Sequence, residues 1–195
     1  MEEKARLDYL LTELTGPDDS ACEASAVALG TMGEVALPRL EGLLAAGSAD
    51  ARFWVVRALW AMGTPAAVDA LAGLLDDPDD MVRSGAALAL GELRAEAAVE
   101  KLATLLREER NSAGDHAADA LSKIGKPAAS LLIQSLDDAW PWVRLRAARA
   151  LVPIESHAAV PALFKALEDD NYVVRHYAEE ALARMGIGQM VFFSP

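Results

Sequence analysis

The sequence predicts an all-α fold: a right-handed α-α superhelix of six helix pairs, repeating about every 31 residues. Three observations carry this. Leu29, Leu59, Leu90, Leu121, Leu151 and Leu182 return at near-constant spacing from end to end. On a second phase stand Arg52, Arg83, Arg144 and Arg175. The composition is 53% hydrophobic but only 6% aromatic, and an Ala and Leu excess suits close-packed helices better than a sheet.

The period divides residues 1–195, read as a single domain, into repeats at about 1–34, 35–64, 65–95, 96–126, 127–156 and 157–187, followed by a tail, 188–195. The third repeat is the clearest. Val68, Leu71, Leu74 and Leu75 form one stripe of a first helix, and Asp76-Asp77-Pro78-Asp79-Asp80 breaks it and offers caps for the next. Val82, Ala86, Ala89, Leu90 and Leu93 then line one face of a second helix. The other repeats keep these columns. Leu10, Leu40, Leu71, Leu102, Leu132 and Leu163 recur in the first helices. Ala28, Ala58, Ala89, Ala120, Ala150 and Ala181 stand beside the leucines of the second. Neither helix of one repeat can bury its stripe alone, so stability must come from stacked neighbours.

These residues resemble the HEAT-like repeats named after the phycobilin (PBS) lyases, an armadillo-like helical architecture. That unit reads approximately D-P-D-x-x-V-R-x-x-A-A-x-A-L-G, a turn, then A-V-x-x-L. Here the best match runs from Asp77-Pro78-Asp79 through Val82-Arg83 and Ala86-Ala87 to Leu90-Gly91, with Ala98-Val99 and Leu102 after it. The resemblance covers nearly all of residues 5–187 and speaks for fold more than for function. It implies that the arginine after each turn pairs with acidic turn residues and ties layers together. Cys22 and Gly114 occupy the same column, so the ladder is expected to weaken at repeats one and four.

In such a solenoid the second helices line the concave face. Positions one, two, five and eight after the arginine column are expected to point into it. Repeat two places Phe53, Trp54, Arg57 and Trp60 there, where repeat three has Ser84, Gly85, Leu88 and Gly91. Large aromatics beside an arginine, on a surface that tolerates Ser or Gly, have the composition of a binding hot spot. The alternative is that Phe53 or Trp54 fills space between helices. Farther along stand Asp115, His116 and Asp119, then Arg146 and Arg149, then His176, Tyr177 and Glu180. A salt-bridge ladder through Asp119, Arg149 and Glu180 explains the charges without a ligand. On the functional reading Arg146 and Arg149 grip an acidic partner, flanked by His116 and Tyr177. Trp142 covers an inter-repeat seam, and Trp140 replaces a turn aspartate as an exposed edge contact. The tail either covers the open end of repeat six or serves as a sticky peptide.

No catalytic or metal-binding pattern is present: no G-x-S-x-G, P-loop, H-E-x-x-H or Cys/His cluster. Asp115, His116 and Asp119, with arginines next door, make a poor cation site. Deoxyhypusine hydroxylase uses similar repeats with His-Glu iron ligands, but His116, His157 and His176 are followed by Ala117, Ala158 and Tyr177. The resemblance to E/F-type phycobilin lyases implies, as an alternative, a subunit of an enzyme acting on a tetrapyrrole. Some alkylpurine DNA glycosylases share the architecture with a basic concave face, but a net charge of −12 repels phosphate backbones and anionic lipid. The single cysteine forms no intrachain disulfide. The charged start Met1-Glu2-Glu3-Lys4 is unlike a signal peptide, and no apolar run is long enough to span a bilayer. The expectation is a cytoplasmic, non-catalytic scaffold without cofactor. It binds a protein or peptide on its concave face and exists as a monomer or as one subunit of a hetero-complex.

Overall fold

The computed structural model describes residues 2–187; the expectations for the tail at 188–195 lie outside them. All regular structure among the described residues is helical. Six α-helices fall in the first of two compact units, residues 2–93: α1 (Glu2–Leu14), α2 (Asp19–Thr31), α3 (Leu37–Ala46), α4 (Ala49–Met62), α5 (Pro65–Gly73) and α6 (Asp80–Glu92). Six more build the second unit, from Arg94: α7 (Val99–Glu108), α8 (Ser112–Ile124), α9 (Ala129–Ser135), α10 (Pro141–Leu151), α11 (Val160–Ala166) and α12 (Tyr172–Arg184). The division falls between the third and fourth repeats.

Second helices pack side by side within each unit. Helix α4 lies between α2 and α6, and α10 lies between α8 and α12. Most of the repeat columns are the core: Leu29, Leu59, Leu90 and Leu121 are fully inaccessible, and Leu151 and Leu182 nearly so. Each such side chain contributes about 1.5–3 kcal/mol through removal of its apolar surface from water. Close approach of backbones is built in at Gly30 of α2, where a Cβ would stand 2.5 Å from the Cβ of Ala61 and 2.9 Å from the carbonyl oxygen of Ala58.

Turn chemistry sets the helix starts. Asp18, Ser48, Thr64, Asp79, Asn111 and Asn171 each accept hydrogen bonds from backbone N–H groups of the turn that follows. Among the second helices of the repeats, α2, α4, α6, α8, α10 and α12, the exception is α10. Trp140 occupies its N-cap position and has no side chain able to cap, while Pro141 begins the helix. Asp138 Oδ1 instead accepts from the Trp140 N–H at 2.9 Å.

The arginine column does what the resemblance implies, with two variations. Arg52 makes a bidentate pair with Asp77 of the next repeat, Nε to Oδ2 at 2.7 Å and Nη2 to Oδ1 at 2.8 Å. Arg144 repeats this with Asp169, at 2.6 and 3.1 Å. Arg83 and Arg175 donate to carbonyls of their own turns: Arg83 to Asp77 and Pro78, Arg175 to Asp169 and Asp170. Burial pushes the Asp77 carboxyl up, yet the Arg52 hydrogen bonds, the Asp79 N–H and the charges of Arg52 and Arg83 outweigh it and hold that carboxyl below its ordinary value. Asp169 is held low chiefly by its hydrogen bonds from Arg144, against the opposing effect of burial.

Candidate functional site

The first unit presents its aromatics on α4. Trp54 and Trp60 are both half-buried, as are Phe53 and Arg57 between and beside them. Phe53 and Trp54 meet edge to face, ring centroids 5.4 Å apart. Phe53 leans toward α6, its ring carbons 3.6 and 3.7 Å from where a Cβ on Gly85 would stand. The space-filling alternative therefore describes Phe53, whose ring packs against α6 at Gly85. Trp54 faces another way, into a cleft of about 440 Å³ over the starts of α2 and α4, lined also by Thr15, Gly16, Pro17, Asp19, Ser48, Asp50, Ala51 and Phe53.

Arg57 sits over the Trp60 ring, its guanidinium carbon 4.6 Å from the centroid. The same guanidinium reaches across to α2, where Nε donates to Glu23 Oε2 at 3.0 Å and Nη2 pairs with Oε1. This hydrogen bonding holds the Glu23 carboxyl below its ordinary value, against a smaller opposing effect of burial. Arg57 is thus committed to Glu23 and steadies Trp60 rather than standing free.

The second unit corrects part of the expectation. Arg146 is only 4% exposed and lies inside the protein rather than on an open face. Its Nε donates to Asp115 Oδ1 at 2.8 Å. Nη1 reaches the carbonyls of Leu106, at 3.0 Å, and of Glu109, and Nη2 reaches that of Asn111 at 2.9 Å. Gly114 explains this placement: a Cβ there would collide with the Arg146 guanidinium and with the Glu109 carbonyl. Repeat four lacks its column arginine, and the arginine of the next layer enters the vacated space and caps the turn in its stead.

Arg149 remains half-exposed and pairs with Asp119 at 2.8 Å. His116 is half-buried, with an Nδ1 that is shielded from solvent and has no hydrogen-bond partner. Tyr177 is half-buried beside the exposed His176, ring centroids 5.5 Å apart. Asp115 and Asp119 are therefore both engaged by arginines.

Trp140 is 54% exposed and stacks on Trp142, centroids 4.6 Å apart and planes 22° from parallel. Arg110 lies over the Trp142 ring at 4.1 Å. Trp142 Nε1 is buried and unpartnered. The cation comes from the α7–α8 turn and the stacked pair from the start of α10; the sequence marked Trp140 and Trp142 but not Arg110.

Among the described residues no helix is long and apolar enough to cross a membrane. No group of three or more metal-ligating side chains is placed to hold an ion among them.

Comparison with known proteins agrees with the geometry. A family model described as HEAT repeats matches residues 7–87, 36–114, 72–152 and 129–188. Among solved structures, the complex of CpcE and CpcF of phycocyanin lyase from Nostoc sp. PCC7120 is similar at 24% identity and a TM-score of 0.54, over 92% of this chain and 77% of that one. A designed armadillo repeat protein in complex with the peptide (KR)4 is similar at 23% identity and a TM-score of 0.56, over 92% of this chain and 99% of that one. A Kap121p mutant aligns at 16% identity and a TM-score of 0.59, over 93% of this chain and 23% of that one. At these identities the likeness establishes fold alone. A comparison with curated proteins finds no match. With the family model spanning nearly the whole sequence and the arginine ladder in place, the chain belongs to the family of HEAT repeats.

Proposed function

We propose that this chain is a non-catalytic protein-binding scaffold that receives a partner peptide or domain on the α4 surface of its first unit. The observation that carries the reading is the pair Trp54 and Trp60. They stand half-buried on α4, where the third repeat has Gly85 and Gly91 at the same columns. Packing does not require rings there, and large amphipathic rings on a fixed element are what interface hot spots are made of. Arg57 contributes by holding Trp60 in place from the Glu23 side. Arg149, with His116 and Tyr177, is a further contact region in the second unit, and Trp140 is a separate edge contact; Arg146, being enclosed, is not among them. HEAT and armadillo-like folds commonly serve protein–protein interaction, and one similar designed structure holds a peptide, which supports the reading.

Affinity capture from the source cell's lysate with wild type and with Trp54→Ala/Trp60→Ala tests it, with bound proteins identified by mass spectrometry and pigments by absorbance. The expected result is a protein recovered by wild type and lost with the double variant. A bound tetrapyrrole would move the assignment to a lyase subunit, and a protein recovered equally by both would remove α4 as the site.

A further inference from the structure

The cleft beside Trp54 has a chemistry of its own. One wall is aromatic, formed by Trp54 with Phe53 set edge-on against it. Two carboxylates line the rim, Asp19 in the first turn of α2 and Asp50 in the first turn of α4. Neither has a hydrogen-bond or ion-pair partner among the described residues, and no cation lines the cleft. The column arginine of this repeat, Arg52, does not line the cleft and is engaged by Asp77 and by the Gly47 carbonyl. The remaining walls are small: Thr15, Pro17 and Ala51. The volume, about 440 Å³, lies within the usual range of ligand-sized clefts.

We propose that this cleft receives a basic side chain, lysine or arginine, projecting from the partner segment. The proposal rests on the scaffold reading above and names the chemistry of the group that the scaffold grips. The cationic head lies against the face of Trp54, where the ring quadrupole attracts it, and between the carboxylates of Asp19 and Asp50, which complete the charge pairing. The aliphatic stem covers the apolar walls, as long basic side chains do. An acidic or neutral side chain gains none of this and meets two uncompensated carboxylates. The net charge of −12 favours encounter with a basic segment in the same sense.

The full chain, labelled with 15N, is titrated with an acetylated, amidated octapeptide of alternating lysine and arginine, and with its norleucine and glutamate counterparts. The four tryptophans give four indole N–H signals, so the site reports itself. The expected result is a shift of the Trp54 indole signal by the basic peptide alone. Binding should weaken about 10-fold in Asp19→Asn/Asp50→Asn and stay unchanged in Glu2→Gln/Glu3→Gln, with melting temperatures confirming that each variant is folded. If the basic peptide leaves Trp54 unmoved, or binds equally well to Asp19→Asn/Asp50→Asn, the proposal is overturned. Diffuse attraction to an acidic surface would produce the second outcome. The scaffold reading fails separately, if no protein is recovered by wild type and lost with Trp54→Ala/Trp60→Ala, so the two failures are distinguishable.

Discussion

The side chain at the arginine column faces one task in every repeat: carbonyls of the preceding turn need donors. Arg52 supplies Gly47; Arg83, Arg144 and Arg175 supply the carbonyls five and six residues back. Cys22 does the same on a smaller scale, its thiol donating to Gly16 and Glu13 at 3.4 and 3.3 Å. Burial and the Asp19 carboxylate push that thiol's pKa up, so it stays protonated and able to donate. At Gly114 the donor comes from Arg146 instead. This makes opposite predictions for two neighbouring arginines. Arg146→Ala leaves the carbonyls of Leu106, Glu109 and Asn111 without their donor and is expected to cost about 2–4 kcal/mol in denaturant unfolding. Arg149→Ala breaks a half-exposed pair and is expected to cost under about 1 kcal/mol. Equal losses would contradict the assignment.

Between helices, two devices hold neighbouring layers. The first is close approach. Gly30→Ala gains up to about 1 kcal/mol of helix propensity but drives a methyl into Ala61 and the Ala58 carbonyl, an overpacking of about 1–3 kcal/mol. The expected net result is a lower melting temperature. A rise would mean that α2 and α4 can separate freely. The second device is the inter-repeat carboxylate. Asp77, Asp169 and Glu23 are all held below their ordinary values by arginine hydrogen bonds. A depressed carboxyl contributes its stability in full above the unfolded value and loses it as pH falls through the folded one. The melting temperature is therefore expected to be flat from about pH 7 to 5 and to fall below about pH 4. Asp77→Asn/Asp169→Asn should start lower at pH 7 and show a shallower acid limb. A midpoint that rises on acidification would contradict the pairing.

At the scale of the whole molecule, the repeat was legible because periodicity is itself the packing rule: a column facing the neighbouring layer must be apolar in every repeat. The arginine column was legible from the same period, and its pairing with turn acids from the resemblance to HEAT-like repeats. Arg146 was not, because a column reading assumes that a side chain works in its own layer, whereas Gly114 had opened a space one repeat away. Phe53 and Trp54 were both visible as departures, but only the proximity of Gly85 told them apart. The cleft was hidden because Asp19 and Asp50 read as ordinary first-turn acids, stabilised by the helix dipole, until the turn of repeat one and Trp54 were brought together. Trp140 is the converse: its sequence anomaly is real, a helix start without the cap that α2, α4, α6, α8 and α12 possess.

On the scaffold reading Trp54 and Trp60 belong to a surface and not to the core. The most direct test is the unfolding free energy of Trp54→Ala/Trp60→Ala. Loss of one edge-to-face contact and one cation–π contact on half-buried rings predicts a cost below about 3 kcal/mol for the pair, with helicity retained. Core tryptophans would cost about 3–5 kcal/mol each, and a loss of that size would mean the rings hold the stack together and the binding surface lies elsewhere.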